Sequence, residues 1–247
     1  MYIDVVFETT DMDLQVSFNE KLQLVSSGIL NDADDLAQGT ISGRYVSDKI
    51  TSVKEYAFFR CANLASVSLP NCTSIYTSAF RECPALESVN LPNCVSFDKG
   101  VSSGYFFDGA SNLKTINVPN LTTIAIASRT FNACKVLEEF DAPNLTFLTD
   151  SSSMFANCQK LRKVNFPKLG GTTISARTFY TCSRLEKLIL GGDELNPLEN
   201  VNAFTGTPIA NGTGYVYVPD NLVDTYKIAT NWATFANQIK PISELEE

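Results

Sequence analysis

Two acidic residues two positions apart, Glu139 and Asp141, come nearest to a catalytic pair in this chain. Alternate residues of a strand share a face, so the two carboxylates would stand side by side, as a paired-carboxylate site for glycoside chemistry requires. The sequence around them predicts no opposing wall of a cleft. The chain has no histidine, which removes the usual general base and the commonest metal ligand. It has neither a G-x-x-x-x-G-K-[ST] phosphate loop nor a G-x-S-x-G nucleophile turn. The acidic run Asn31-Asp32-Ala33-Asp34-Asp35 puts alanine where a calcium loop needs its second oxygen ligand, and it lacks the mid-loop glycine and distal glutamate. It reads as a solvated loop. The seven cysteines are odd in number and include no C-x-x-C pair, which argues against zinc. No metal, no cofactor and no enzymatic activity are expected.

The cysteines lead instead to the elements that would position any site. Cys61, Cys83, Cys134, Cys158 and Cys182 occupy one position of a recurring unit, and Ala110 fills it once. The steps between these positions are 22, 27, 24, 24 and 24 residues. The unit is clearest at Ala79-Phe80-Arg81-Glu82-Cys83-Pro84-Ala85-Leu86-Glu87-Ser88-Val89-Asn90-Leu91-Pro92-Asn93. It recurs around Phe58, Phe107, Phe131, Phe155 and Phe179. A fixed period in the twenties is the signature of a solenoid. Leu-x-x-Val-x-Leu gives a strand whose Val and Leu face inward, and the following proline ends it. Phe, Cys and Leu three apart suit the inward face of a short helical or 3₁₀ turn. A second apolar residue (Ile75, Phe97, Ile124, Leu148, Ile174) turns the chain over the core. One unit cannot bury its own apolar face; stacked units bury one another's. The cysteines then read as a ladder of buried thiols, although stacked neighbours could approach disulfide distance at 61–83 or 72–94.

The pattern A-F-x-x-C-x-x-L-x-x-V-x-L-P-N resembles the BspA-type leucine-rich repeat, the short-helix class also described from Treponema. The resemblance covers residues 50–214. It implies an α/β leucine-rich-repeat solenoid with a parallel β-sheet on the concave face and short 3₁₀ or irregular helical segments on the convex face. It also implies roles in surface binding and adhesion rather than catalysis. The segment Tyr217-Val218-Pro219-Asp220-Asn221-Leu222-Val223-Asp224-Thr225-Tyr226-Lys227 is similar to endings on such repeats in gut Firmicutes and their prophages, and the acidic start resembles short proteins of phage structural clusters.

Outside the repeats, alternating apolar residues around Thr9-Thr10-Asp11 predict a β-hairpin over residues 1–25. It would serve either as a cap or as a docking or oligomerisation module through its open edge. Residues 26–49 read as linker. Residues 98–105 read as an insertion that accounts for the 27-residue step, with Tyr105 as a contact candidate. Residues 215–247 read as a last strand at Tyr215–Pro219 and a helical cap, with Asp220-Asn221 at the helix start and Leu222, Val223, Tyr226 and Ala229 on one face. Trp232, Phe235 and Ile239 continue the apolar face.

The net charge of −8, from 19 basic and 27 acidic residues, argues against nucleic acid or an anionic membrane as partner. No apolar run approaches 18 residues, so no membrane insertion is expected, and Met1–Glu8 lacks the basic n-region of a signal peptide. The N-x-[ST] matches at Asn71, Asn120, Asn144 and Asn211 mostly arise from the repeat and carry no glycosylation signal.

On each repeat strand the second, third and fifth positions face away from the core. The second (Ala65, Glu87, Lys114, Glu138, Arg162, Glu186) alternates in sign, so stacked charges pair. The third and fifth give a polar strip: Ser66 and Ser68, Ser88 and Asn90, Thr115 and Asn117, Glu139 and Asp141, Lys163 and Asn165, then Lys187 beside Ile189. This strip, with Tyr105, is the candidate binding surface for a protein or glycan on a cell surface. The expected setting is a phage particle or bacterial surface. The alternative is a structural virion or assembly component docked through residues 1–25.

Overall fold

The computed structural model describes residues 29–30, 41–98 and 104–246. The expected hairpin at 1–25, the acidic loop at 31–35 and the insertion at 99–103 lie outside them. In chain order the strands are β1 Ile29–Leu30, β2 Ser42–Val46, β3 Ser52–Val53, β4 Asn63–Ser68, β5 Ser74–Tyr76, β6 Ser88–Asn90, β7 Ser96–Asp98, β8 Thr115–Asn117 and β9 Thr123–Ile124. There follow β10 Glu139–Asp141, β11 Phe147–Leu148, β12 Lys163–Phe166, β13 Lys187–Leu190, β14 Tyr215–Val218, the helix α1 Val223–Ile228 and β15 Ile239–Pro241.

The repeats pile into a parallel solenoid. Their leucine-and-valine strands form two sheets in succession, β2-β4-β6-β8 and β10-β12-β13-β14-β15. Register follows the repeat: Val67 lies beside Val89, Val89 beside Ile116, Phe140 beside Val164, and Val164 beside Leu188. A third sheet, β1-β3-β5-β7-β9-β11, is built from β5 onward by the apolar residue after each proline and its flanks. Ile75, Phe97 and Ile124 therefore do more than turn the chain: each sits buried in a short parallel strand.

The Phe–Cys segment closes each turn. Its i→i−3 hydrogen bonds are those of a 3₁₀ turn, as in Phe59 N–H to Tyr56 O and Cys61 N–H to Phe58 O. It does not propagate as a helix, because the residues two before and two after most of these phenylalanines are left-handed. Tyr56, Ser78, Tyr105, Arg129, Ser153 and Arg177 precede; Arg60, Glu82, Ala133, Asn157 and Thr181 follow, with Gly109 and Gly206 in the same place. A left-handed non-glycine residue costs roughly 1–2 kcal/mol. The conformation frees alternate N–H groups to bond the next turn of the solenoid, which offsets that cost. Phe58 N–H donates to Ala79 O at 2.8 Å, Phe131 N–H to Met154 O at 2.8 Å, and Phe155 N–H to Thr178 O at 2.8 Å.

Inside, Phe58, Phe80, Phe107, Phe131, Phe155, Phe179 and Phe204 stack ring on ring. Successive centroids are 5.0, 5.2, 5.4, 5.2, 5.6 and 5.5 Å apart and the planes lie within 13°. All seven are fully buried. Tyr45 closes one end of the column edge-on, 5.1 Å from Phe58, and Phe235 closes the other, 5.2 Å from Phe204. The seven cysteines are buried free thiols. Four of them bond the carbonyl of the preceding phenylalanine: Cys83 to Phe58, Cys134 to Phe107, Cys158 to Phe131, and Cys182 to Phe155, at 2.8–3.4 Å. The Pro-Asn corners are tied likewise. The amides of Asn93, Asn120 and Asn144 donate to the carbonyls of Pro70, Pro92 and Pro119, one repeat back, at 2.8–2.9 Å. Asn71 likewise donates to the Asp48 carbonyl at 2.6 Å, so three of the N-x-[ST] asparagines are structural clamps.

Three expectations need correction. Residues 26–49 are not simply linker, because β1 and β2 within them belong to the stack. Tyr45 in β2 is buried against Phe58, and β2 pairs with β4 through a register shift at Gly43/Arg44 that hides it from the repeat pattern. The strand at Tyr215 is not the last: β15 pairs beyond β14, so Ile239 lies on a strand rather than on a continuing helical face. Asp220 does not cap α1. Its Oδ1 accepts from the Ser243 N–H at 3.2 Å, and hydrogen bonds from the Ser243 side chain and then from that N–H depress its pKa.

The segment after β14 folds over the end of the stack. Tyr226 and Trp232 are fully buried, with Leu222, Val223 and Ala229 packed against the core. Buried Asn196 fastens it: its N–H donates to the Tyr226 hydroxyl at 2.9 Å, and its carbonyl accepts from Trp232 Nε1 at 2.7 Å.

Candidate functional site

The outward face of the leucine-and-valine strands is set by strand alternation. Leu64, Val67 and Leu69 point in, so Ser66 and Ser68 point out, and the parallel register repeats that choice turn after turn. The structure therefore assembles eleven of the twelve candidate residues on one face. Ser66, Ser88 and Thr115 form one column and Glu139, Lys163 and Lys187 its continuation; Ser68, Asn90 and Asn117, then Asp141 and Asn165, form the other. The fifth-position column is a hydrogen-bonded ladder. Asn90 donates to Ser68 at 3.1 Å, Asn117 to Asn90 at 2.7 Å, and Asn165 to Asp141 at 2.8 Å. Ile189, also at a fifth position, is buried instead.

The charge alternation also appears. Lys114 pairs with Glu87 at 2.8 Å; Arg162 pairs with Glu139 at 2.7 Å and reaches Glu138 at 3.9 Å. Such exposed pairs are worth about 0.2–1 kcal/mol each, so they steady register more than they stabilise the fold. The carboxylates of the candidate pair are both engaged, Glu139 by Arg162 and Asp141 by Asn165.

Tyr105 is not with the others. It lies on the Phe–Cys side of the coil, between the guanidinium groups of Arg81 and Arg129, 5.1 and 5.4 Å from its ring. Beside them, buried Asp108 is 3.5 Å from each arginine and accepts from Asn132 at 2.6 Å.

Two features of the strand face were not visible in the sequence. The first is an opening between β8 and β10. Lys114 N–H bonds Glu87 O, Arg162 N–H bonds Glu138 O and Glu186 N–H bonds Arg162 O, but the rung between Lys114 and Glu138 is missing. The sheet therefore divides there, although the other sheet still joins β9 to β11 across the same two turns. The opening is a cleft of about 520 Å³ lined by Lys114, Thr115, Ile116, Val136, Glu138, Glu139, Asp141, Lys160 and Arg162. Ile116 is only partly buried, whereas its column neighbours Val89 and Phe140 are buried. Thr115, Asn117, Glu139 and Asp141, on either side, are the exposed members of the strip, whose other residues are half-buried.

The second feature is at the C-terminal end. Tyr215 and Tyr217 take the third and fifth positions on β14, beside Lys187 and Ile189. With Lys240 and residues 243–246 they line a hollow of about 540 Å³. Lys240 lies 5.4 Å from the Tyr215 ring and binds Glu244 at 2.9 Å, which raises its pKa; Lys187 Nζ donates to the Glu246 carbonyl at 2.9 Å. Their alternation, Tyr-Val-Tyr-Val, was the available signal, but the repeat pattern that would give them a position fades after Gly191. Among the described residues there is no cluster of His, Cys, Asp and Glu that could hold a metal, and no helix long and apolar enough to cross a membrane.

The chain matches the model of the BspA type leucine rich repeat region in six copies, over residues 40–99 and 101–213. No curated protein matches its sequence. Among solved structures it is similar to a leucine rich repeat protein of T. pallidum, at 21% identity over 66% of this chain and 75% of that one, with a TM-score of 0.54. A leucine-rich repeat protein from Eubacterium ventriosum is similar at 20% identity over 74% of this chain and 46% of that one, with a TM-score of 0.49. With the repeat strands in register, the phenylalanine and cysteine columns inside them, and six matched copies over most of the length, the chain belongs to the BspA-type leucine-rich repeat family.

Proposed function

We propose that this protein is a non-catalytic binding module that presents its outward strand face to a protein or glycan on a phage particle or bacterial surface. The family suggests a surface-repeat binding module, and its fold is typically non-catalytic. The observation that carries the reading is the strip itself. Eleven outward polar residues are held in register within two successive sheets of the stack, and they change from uncharged hydroxyl and amide groups at one end to mixed charge at the other. A pre-organised surface of that kind spends little ordering entropy on binding.

The test is binding of the full chain to arrays of glycans and of bacterial surface proteins, alongside the variants Lys163→Glu and Asn90→Ala. At least one target is expected to bind, and one or both variants should weaken it by about tenfold, the scale of one charge-assisted hydrogen bond. Binding that ignores the strip but disappears when residues 1–25 are removed would favour a docked structural component instead.

A further inference from the structure

We propose that the cleft between β8 and β10 is a subsite for a neutral saccharide. This rests on the reading of the strand face as a binding surface and chooses between its two ligand classes.

The argument begins with what the cleft costs. A parallel ladder that runs unbroken on one side of the coil is interrupted on the other, and the backbone rung at Lys114 and Glu138 is left open to the cleft. Open backbone groups call for an occupant with both donors and acceptors, water or ligand. A peptide strand does not fit that role. Inserting one would need β8 and β10 to stand about 9.6 Å apart, twice the strand spacing of roughly 4.8 Å, yet Cα atoms of the two strands approach within 8 Å. Groups of hydroxyl size do fit.

The lining narrows the chemistry. Three cations, Lys114, Lys160 and Arg162, are balanced by three acids, Glu138, Glu139 and Asp141. A strongly charged ligand would gain on one set and lose on the other. Hydroxyl groups can donate to the carboxylates and accept from the cations at once, and the paired groups are already oriented by their contacts. Ile116 and Val136 add an apolar patch for the C–H face of a sugar ring. A cleft of about 520 Å³ lies within the usual range for a small-molecule site.

The experiment titrates the full chain with neutral hexasaccharides (maltohexaose, cellohexaose, chitohexaose and mannohexaose), with a hexagalacturonate as the charged control, by calorimetry and saturation-transfer NMR. At least one neutral saccharide should bind, and hexagalacturonate should not bind better. Glu139→Gln should weaken binding about tenfold. Thr115→Trp, which fills the mouth from an exposed position, should abolish it, while Ile228→Ala, exposed on α1 and outside the strip, should stay within about twofold. Unchanged melting temperatures would separate these losses from unfolding. Failure of every neutral saccharide to bind at about 10 mM would overturn the proposal, as would binding indifferent to both cleft variants. If the arrays described above still yield a target sensitive to Lys163→Glu, the strand face stands as a binding surface and only the cleft falls; if they yield none, both fall.

Discussion

Phe131→Ala is expected to lower the stability of the fold by about 3–5 kcal/mol, the usual cost of removing a phenylalanine from a tightly packed interior. The side chain has no exposure. It is stacked between Phe107 at 5.4 Å and Phe155 at 5.2 Å, and also contacts Phe140 at 4.7 Å. Its loss therefore leaves a cavity that touches three other rings, and stacked aromatic pairs add about 0.5–1.5 kcal/mol beyond their buried area. Position sharpens the prediction. In a quasi-one-dimensional stack each repeat contacts only its neighbours, so a break in the middle uncouples the two halves. Guanidinium unfolding of Phe131→Ala should show a lower midpoint and a broadened or two-step transition. The terminal change Phe235→Ala should shift the midpoint less and leave a single step. A single step at the wild-type midpoint for Phe131→Ala would mean that the column carries no stability.

The second large effect is alkaline. Burial pushes the Cys72 thiol up to about 11, and burial also raises Cys94, Cys134 and Cys158. Cys83 is raised first by its hydrogen bond with Cys61 and then by burial. In the unfolded chain a thiol ionises near 8.5. A folded pKa above the unfolded one means that the folded state holds its proton longer. Stability is therefore at its full value below about pH 8.5 and is lost as pH rises toward the folded pKa. Each such thiol withdraws about 1.4 kcal/mol per pH unit, and five withdraw on the order of 7 kcal/mol per unit. In reductant, the denaturation midpoint should hold between pH 7 and 8 and fall steeply between 9 and 10.5. Cys134→Ala, which copies the natural Ala110, should make that fall shallower by about one fifth. A midpoint that is flat up to pH 10.5 would contradict the buried ladder.

Much of this architecture was legible in the chain because its signals are periodic. Steps of 22, 27 and 24 residues are the same offsets that pair Ser66 with Ser88, Ser88 with Thr115, and Glu139 with Lys163. Burial of the phenylalanines, cysteines and leucines follows from the same spacing. What was not legible is carried by backbone or by very short elements. Ser74–Tyr76, Ser96–Asp98 and Thr123–Ile124 are two or three residues long, too short to show alternation. Most left-handed positions hold Tyr, Arg, Ser, Glu, Ala or Thr, residues with little local preference for that conformation, so at those positions the stack imposes it. The start of the coil was missed because β2 shifts register at Gly43/Arg44. The division of the sheet at β8 and β10 concerns main-chain bonds, which every residue type can make or forgo, and Ile116 reads like any other core position until its neighbours are seen. Tyr215 and Tyr217 joined the face only through register with Lys187 and Ile189.

Thiol counting tests the stacked interior most directly, because every cysteine in the chain is assigned to it. With a disulfide reagent such as DTNB at neutral pH, the native protein should show essentially none of its seven thiols, and all seven should react once guanidinium unfolds it. Prompt reaction of several cysteines in the native protein would contradict a stacked solenoid with buried spines.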